Sequence, residues 1–350
     1  MTLQVAHVNL ARGFRGGERQ TELLIRGLAD HNIQQVLVAR SNSPLVARLD
    51  DVDLEVRGCS GSLWGGFRAT QGADIVHAHE GRGVYAAWLR SIVSDTPYVI
   101  TRRVNNPIGT GALTQRVYRR AACVVSISAE VAAVVCDYDP LIRSRIIHSS
   151  SSKLPVTDDT VRAIRDRFPG KWLIGNIAAL DNAQKGQEYI IDVARELRES
   201  HPDLQFVLVG DGADATMLQE QANGLSNVTF AGFVDNVGDW LAALDLFVFP
   251  SNKEGMGSVL LDAMDRGLPV IASRAGGIPS IVKDGHNGIL IDARRPDQLR
   301  DAILRLHDDA DLRASLGSRG RKFSSSFGPE VMSAAYCALY DEVLAAQAKA

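Results

Sequence analysis

The chain is poor in cysteine, in aromatic side chains and in long apolar runs, and each shortage excludes something. Its four cysteines, Cys59, Cys123, Cys136 and Cys337, include no C-x-x-C pair. Reduced thiols in largely apolar surroundings are therefore expected, with neither a disulfide framework nor zinc. No apolar stretch approaches the roughly 20 residues that cross a bilayer. The opening MTLQVAHVNLARG has no charged leader ahead of an apolar core and a small-residue cleavage site, so it reads as a first strand, and a cytoplasmic location is expected. Lysine is absent before Lys153, and residues 1–150 carry 17 arginines against 13 acids, while the remainder carries 21 basic and 28 acidic residues. Arg102, Arg103, Arg116, Arg119 and Arg120 cluster in that basic half. They suit phosphates or a peripheral contact with an anionic membrane surface, or else solvated helix faces in an arginine-biased chain. Nucleic acid is not expected as a partner, because no aromatic-interleaved basic stripe or recognition motif is present.

What is present is a repeat of short apolar runs separated by helical patterns. Gln4 to Leu10, Gln35 to Ala39, Ile75 to Ala78, Tyr98 to Thr101 and Cys123 to Ile127 form a first series of strands. Trp172 to Ile177, Gln205 to Val209, Val228 to Ala231, Leu246 to Phe249, Val270 to Ala272 and Gly288 to Ile291 form a second. The polar stretch from Ser149 to Pro155 reads as the linker between them. The expected fold is α/β, with two doubly wound Rossmann-like domains facing across a cleft. The first spans 1–152 and is joined by a C-terminal helix over 329–346; the second spans 153–328. That helix places Val331, Met332, Ala335, Tyr336, Leu339 and Val343 on one face.

The densest chemistry lies in PSNKEGMGSVLLDAMDRGLPVIAS, from Pro250 to Ser273. An apolar run ending in proline leads through Gly255 and Gly257 into a helix near Ser258, with Glu254 in the loop and Asp262 about one turn into the helix. Glycines let a ligand approach the backbone, helix N–H groups hold phosphate oxygens, and the two carboxylates can accept hydrogen bonds from sugar hydroxyls. Acids placed only for the helix dipole and solvation are the alternative reading. Asp51 and Asp53 match the letters of a metal-binding D-x-D but sit in a polar connector, so a solvated loop is expected there.

This stretch resembles the signature of retaining glycosyltransferases of family 4. The resemblance continues through Gly16-Gly17-x-Arg19, Asp74 to His79, Gly175 to Gly186, Leu208 to Gly212, Val228 to Phe233, Gly276 to Pro279 and Asp284 to Gly288. It implies a nucleotide-sugar donor held by the second domain, a glycan or glycolipid acceptor at the first, and no metal or other cofactor. By this resemblance Lys185 and Glu254 are the catalytic candidates. Gly16, Gly17, Gly210, Gly255, Met256, Gly257, Ser258 and Asp262 are expected to bind the donor, and His79, Arg102 and Arg103 to meet the acceptor or the donor sugar. Lipopolysaccharide core or a related polysaccharide is the expected product class.

Four positions depart from that pattern. Ala179 stands where an arginine usually partners the lysine, and Asp262 replaces a glutamate. Ser280 replaces another and is expected to serve as a helix cap. Thr101-Arg102-Arg103 stands where a histidine is common. The alternative is therefore a catalytically silent homologue that binds a glycan or a partner enzyme. A nicotinamide-dependent enzyme is disfavoured, because no G-x-G-x-x-G follows the first strand.

Overall fold

A computed structural model describes residues 2–349. The chain forms two compact units, one running to Ser152 and resuming at Phe327, the other comprising Lys153–Ser326. In order, the first unit contains β1 (Leu3–Asn9), α1 (Gly16–Leu28), β2 (Ile33–Arg40), α2 (Pro44–Ala47), β3 (Glu55–Cys59), α3 (Leu63–Ala69) and β4 (Ile75–Ala78). It continues with α4 (Gly81–Ser94), β5 (Tyr98–Arg102), α5 (Ala112–Arg120), β6 (Cys123–Ser126), α6 (Ala129–Tyr138) and β7 (Ser144–Ile146). The seven strands are parallel in the order β3-β2-β1-β4-β5-β6-β7.

The second unit contains α7 (Asp158–Asp166), β8 (Trp172–Ile177), α8 (Asn182–Lys185), α9 (Gln187–Leu197), β9 (Leu204–Val209), α10 (Ala215–Gln221) and β10 (Val228–Gly232). Then follow α11 (Val237–Ala243), β11 (Leu246–Phe249), α12 (Ser258–Asp265), β12 (Val270–Ser273), α13 (Ile278–Ile281), β13 (Ile289–Ile291), α14 (Pro296–Asp308) and α15 (Ala310–Ser324). Its six parallel strands run β10-β9-β8-β11-β12-β13. Both sheets are buried on two faces, which is why their central strands are nearly unbroken apolar runs. In each, the strand order reverses beside the first strand, at β1/β4 and at β8/β11. Such reversals leave a crevice beyond the carboxyl ends of the strands.

The last helix, α16 (Pro329–Gln347), belongs to the first unit. Met332, Tyr336, Leu339, Tyr340 and Val343 pack on Val5, Leu24, Leu28, Ile75, Val99 and Val125. A side chain at Gly27 would come 3.0 Å from the Cβ of Ser333, so the two helices approach closely there. Val331, expected on the packed face, is half exposed.

Two strands escaped the sequence reading. β3 and β7 lie at the two edges of the first sheet, and their sequences EVRGC and SRI lack an apolar run because much of each faces water. The serine linker also differs from expectation. Ser149 to Ser152 are buried, Gln20 bonds both the carbonyl and the N–H of Ser150 at 2.8 Å, and the N–H of Ser151 meets the carbonyl of Phe327 at 2.7 Å. Small serines fit this packed passage, which is fixed and not a solvated spacer; the chain's re-entry into the first unit is pinned there, two residues ahead of Pro329.

Candidate active site

In the second unit the site grows from the β8/β11 reversal. The segment after β8 carries Lys185, the last residue of α8, and the loop after β11 carries Glu254. Several backbone contacts hold the two loops together. The N–H groups of Asn252 and Lys253 both reach the carbonyl of Gln184, at 2.7 and 3.2 Å, and the carbonyl of Glu254 accepts from Gly277 N–H at 3.1 Å. Gly186 has φ +65°, and a Cβ on it would lie 2.5 Å from the carbonyl oxygen of Pro250. Glycine is thus required by the close approach as well as by the backbone conformation.

This scaffold brings the ammonium of Lys185 onto the carboxylate of Glu254 in an ion pair, with both side chains largely covered. The ammonium also lies 5.4 Å from the centre of the Phe249 ring. Gly257, at φ +80°, starts α12, and Ser258 is its first residue. Gly255, Met256 and Gly257 lie beneath the surface while Glu254 and Ser258 are partly exposed. Asp262 is the fifth residue of the helix and is 8% exposed. The Gly210 requirement is structural in the first place: at φ +136° a Cβ there would collide at 2.0 Å with the carbonyl of Ala178.

The departures are also placed. Ala179 offers its carbonyl to the Gln187 side chain at 2.9 Å. Ser280 is not an N-cap; it lies inside the four-residue α13 and its hydroxyl donates back to the carbonyl of Gly277 at 2.6 Å. Asp51 is engaged by both terminal nitrogens of Arg26, each at 2.9 Å, and so has a structural use.

In the first unit the β1/β4 reversal gathers three imidazoles. His7 on β1 is in register with His77 on β4, and His79 follows two residues later on the same face, 3.9 Å from His77 between ring centres. His77 bonds the hydroxyls of Tyr340 and Thr101, both at 2.7 Å, and Tyr336 completes the chain at 2.8 Å from Thr101. Burial pushes the His7 pKa down to about 3, and burial, reinforced by neighbouring positive charge, holds His77 and His79 well below the usual imidazole value. From sequence, His7 and Tyr340 were not singled out, Tyr336 was read only as part of a packed helix face, and Thr101 only as a departure from the family pattern. The spacing of the two tyrosines, one turn apart on an apolar face, was the available signal.

The two neighbouring arginines have different fates. Arg102, a ligand candidate from sequence, is buried and turned onto the carbonyl of Asn106 and, at 3.4 Å, the hydroxyl of Tyr118. Arg103 lies against Gly17 and reaches His79 Nδ1 at 3.4 Å. Gly16 has open space where a side chain would be. Arg116, Arg119 and Arg120 line a hollow of about 340 Å³, but Arg119 is paired with Asp139 and Arg120 with Asp95. The basic cluster is therefore divided between interior and surface and does not form one charged face.

Residues 171–309, which hold Lys185, Glu254 and the α12 start, match the family described as glycosyl transferases group 1. Residues 171–309 are thus a group 1 glycosyltransferase domain. Over 281 residues it is 27% identical to an uncharacterized glycosyltransferase of Methanocaldococcus jannaschii, covering 78% of this chain and 77% of that one. Over 160 residues it is 32% identical to the lipopolysaccharide core biosynthesis glycosyltransferase LpsE of Rhizobium meliloti, covering 45% and 46%. The chain thus spans about three quarters of the first relative and under half of the second. Among solved structures, that of Anabaena HepE in complex with UDP and glucose superposes with a TM-score of 0.85 at 19% identity, over 97% of this chain and all of that one. The two parallel sheets with flanking helices are those of this two-domain glycosyltransferase fold. Among the described residues no helix is long and apolar enough to cross a membrane.

Proposed function

We propose that the protein is a retaining, metal-independent glycosyltransferase that moves a sugar from a nucleotide-sugar donor to a hydroxyl of a cell-envelope glycan, such as lipopolysaccharide core or a related polysaccharide. The observation that carries this reading is the Lys185–Glu254 pair, set at the strand-order reversal of the group 1 domain beside the start of α12. Lys185 neutralises the charge that grows on the departing nucleoside diphosphate, and N–H groups at the start of α12 share that load. Glu254 positions the lysine and accepts hydrogen bonds from hydroxyls of the donor sugar, while Asp262 serves the ribose. The bond from the anomeric carbon to the phosphate oxygen breaks, the acceptor oxygen bonds the same face of that carbon, and its proton passes to the departing phosphate. No protein nucleophile is required by that route.

The LpsE relationship supports the cell-envelope acceptor, and the UDP held by HepE supports a nucleotide donor. The acceptor belongs at the first unit, with residence in the cytoplasm or on the inner face of its membrane. The test is turnover of UDP-, GDP-, ADP- and CMP-sugars in the presence of chelator, with the anomeric configuration of the product read by NMR. Retained configuration supports the mechanism, whereas inversion overturns it. If no donor is consumed and Glu254→Ala changes nothing measurable, the silent glycan-binding reading replaces it.

A further inference from the structure

The hydrogen bonds around His7 and His79 leave each ring one place for its proton. His7 Nδ1 and His79 Nε2 lie 3.0 Å apart with both side chains buried, so one nitrogen donates and the other accepts. The two ends of the row decide which. At the outer end Arg103 reaches His79 Nδ1 at 3.4 Å, and a guanidinium has only donors, so His79 Nδ1 is bare and the His79 proton sits on Nε2. At the inner end lies the buried Gln35 of β2, a hydrogen-bonding partner of His7. Its Nε2 is spent on the carbonyl of Ile25 at 3.0 Å, which leaves Oε1 as an acceptor. Neither Gln35 Oε1 nor His7 Nε2 has another partner among the described residues, and a proton on His7 Nε2 satisfies both. The opposite polarity would set N–H against N–H at Arg103 and lone pair against lone pair at Gln35, with no water at hand to relieve either. Burial disfavours a second proton on either ring, with the His7 pKa pushed down to about 3.

We propose that His7 and Gln35 are positioning residues for sugar transfer, which fix His79 as its Nε2–H tautomer so that its bare Nδ1 holds the Arg103 guanidinium at the rim of the β1/β4 crevice. Gln35 fixes His7, His7 fixes His79, and His79 fixes Arg103, which reaches no carboxylate among the described residues and whose Nε is buried without a partner. In the other tautomer His79 Nδ1–H would face an Arg103 N–H and push the guanidinium away. A metal ion is a poorer occupant of the row: the three imidazoles offer nitrogens within 4.8 Å of one another, but both nitrogens of His77 are engaged by hydroxyls and Arg103 adds a repelling charge. The proton placement follows from the hydrogen bonds alone, whereas its bearing on turnover rests on the transferase reading.

Long-range proton–nitrogen NMR of protein labelled with nitrogen-15 in histidine, at neutral pH, reads which ring nitrogen carries the proton, and His7→Leu and His79→Gln assign the two rings. The expected result is a proton on Nε2 of both. A proton on Nδ1 of either ring, or a doubly protonated ring, overturns the proposal. His7→Leu removes the acceptor and should leave His79 a mixture of tautomers, while His7→Asn, whose Oδ1 stands near the place of Nδ1, should restore the single one. A His79 that stays unmixed in the leucine variant also overturns it. Should His7→Leu not fold, Gln35→Leu takes its place, with His7 expected to become the mixture and an unmixed His7 overturning the lock. Turnover of the nucleotide sugar that the wild type consumes should fall about tenfold in kcat with His7→Leu and be largely regained with His7→Asn. Equal loss in both variants, or loss in neither, overturns the positioning role. If the protons sit as expected while no nucleotide sugar is consumed, the proton placement stands and the transferase reading falls. If sugar is turned over while His79 carries its proton on Nδ1, the transferase reading stands and the positioning role falls.

Discussion

The two strand-order reversals are alike in topology and opposite in construction. At β8/β11 the chemistry sits on loops, and its central element is an exchange of charge between Lys185 and Glu254 held by backbone hydrogen bonds. At β1/β4 it sits on the strands, where neutral imidazoles are roofed by tyrosines from α16 and an unmatched arginine lies at the rim. One winding pattern thus supplies a crevice, and the local sequence decides whether it presents an ion pair carried by loops or a row of buried imidazoles beside an arginine.

Removing residues from 329 onward is the largest expected perturbation. It uncovers Val5, Ile75 and Val99 and strips both tyrosine hydroxyls from the histidine network, so the first unit should lose its cooperative melt while the second unit keeps its own. Scanning calorimetry checks this, and a single unchanged transition contradicts it. Glu254→Ala should lower kcat on the order of 10²-fold or more with an unchanged melting temperature, since it frees the lysine that the proposed mechanism sets against the leaving group. A parallel fall in stability would mean that the pair is structural. Gly186→Ala should cost about 1–3 kcal/mol in denaturant unfolding, because a positive φ and a collision with Pro250 act together.

Smaller effects sharpen the first-unit side. Tyr340→Phe leaves His77 Nδ1 without its hydroxyl and should cost about 1–3 kcal/mol. In the unfolded chain these histidines bind protons near pH 6.5, whereas in the folded unit they do so only at lower pH, about 3 for His7. The unfolded state therefore binds more protons in between, and stability is fully present above about 6.5 and declines as pH falls through that window. His77→Gln should flatten the decline; an equally steep curve in the variant would assign it to other groups.

Much of this was legible in the sequence wherever one rule decided. The buried parallel strand Leu246 to Phe249 is apolar throughout and Ile75 to Ala78 is broken only by His77, and the glycine spacing marked the start of α12 at Ser258. Edge strands β3 and β7 were not legible, because only the pairing partner distinguishes EVRGC from a loop. His7 escaped because its meaning depends on register with His77, and Tyr340 because 263 residues separate it from the ring it bonds. The fates of Arg102 and Arg103, identical neighbours in the sequence, depended on which way a strand end turned.

The most direct test of the account is thermal stabilisation of the wild type and of Lys185→Ala by UDP-, GDP-, ADP- and CMP-sugars without metal. A ligand at about 100 times its dissociation constant adds about 2.7 kcal/mol to the folded state, which a melting curve resolves. The account predicts that one nucleotide class raises the melting temperature of the wild type and that Lys185→Ala abolishes the rise. No stabilisation by any class, or a rise that persists without Lys185, would contradict it.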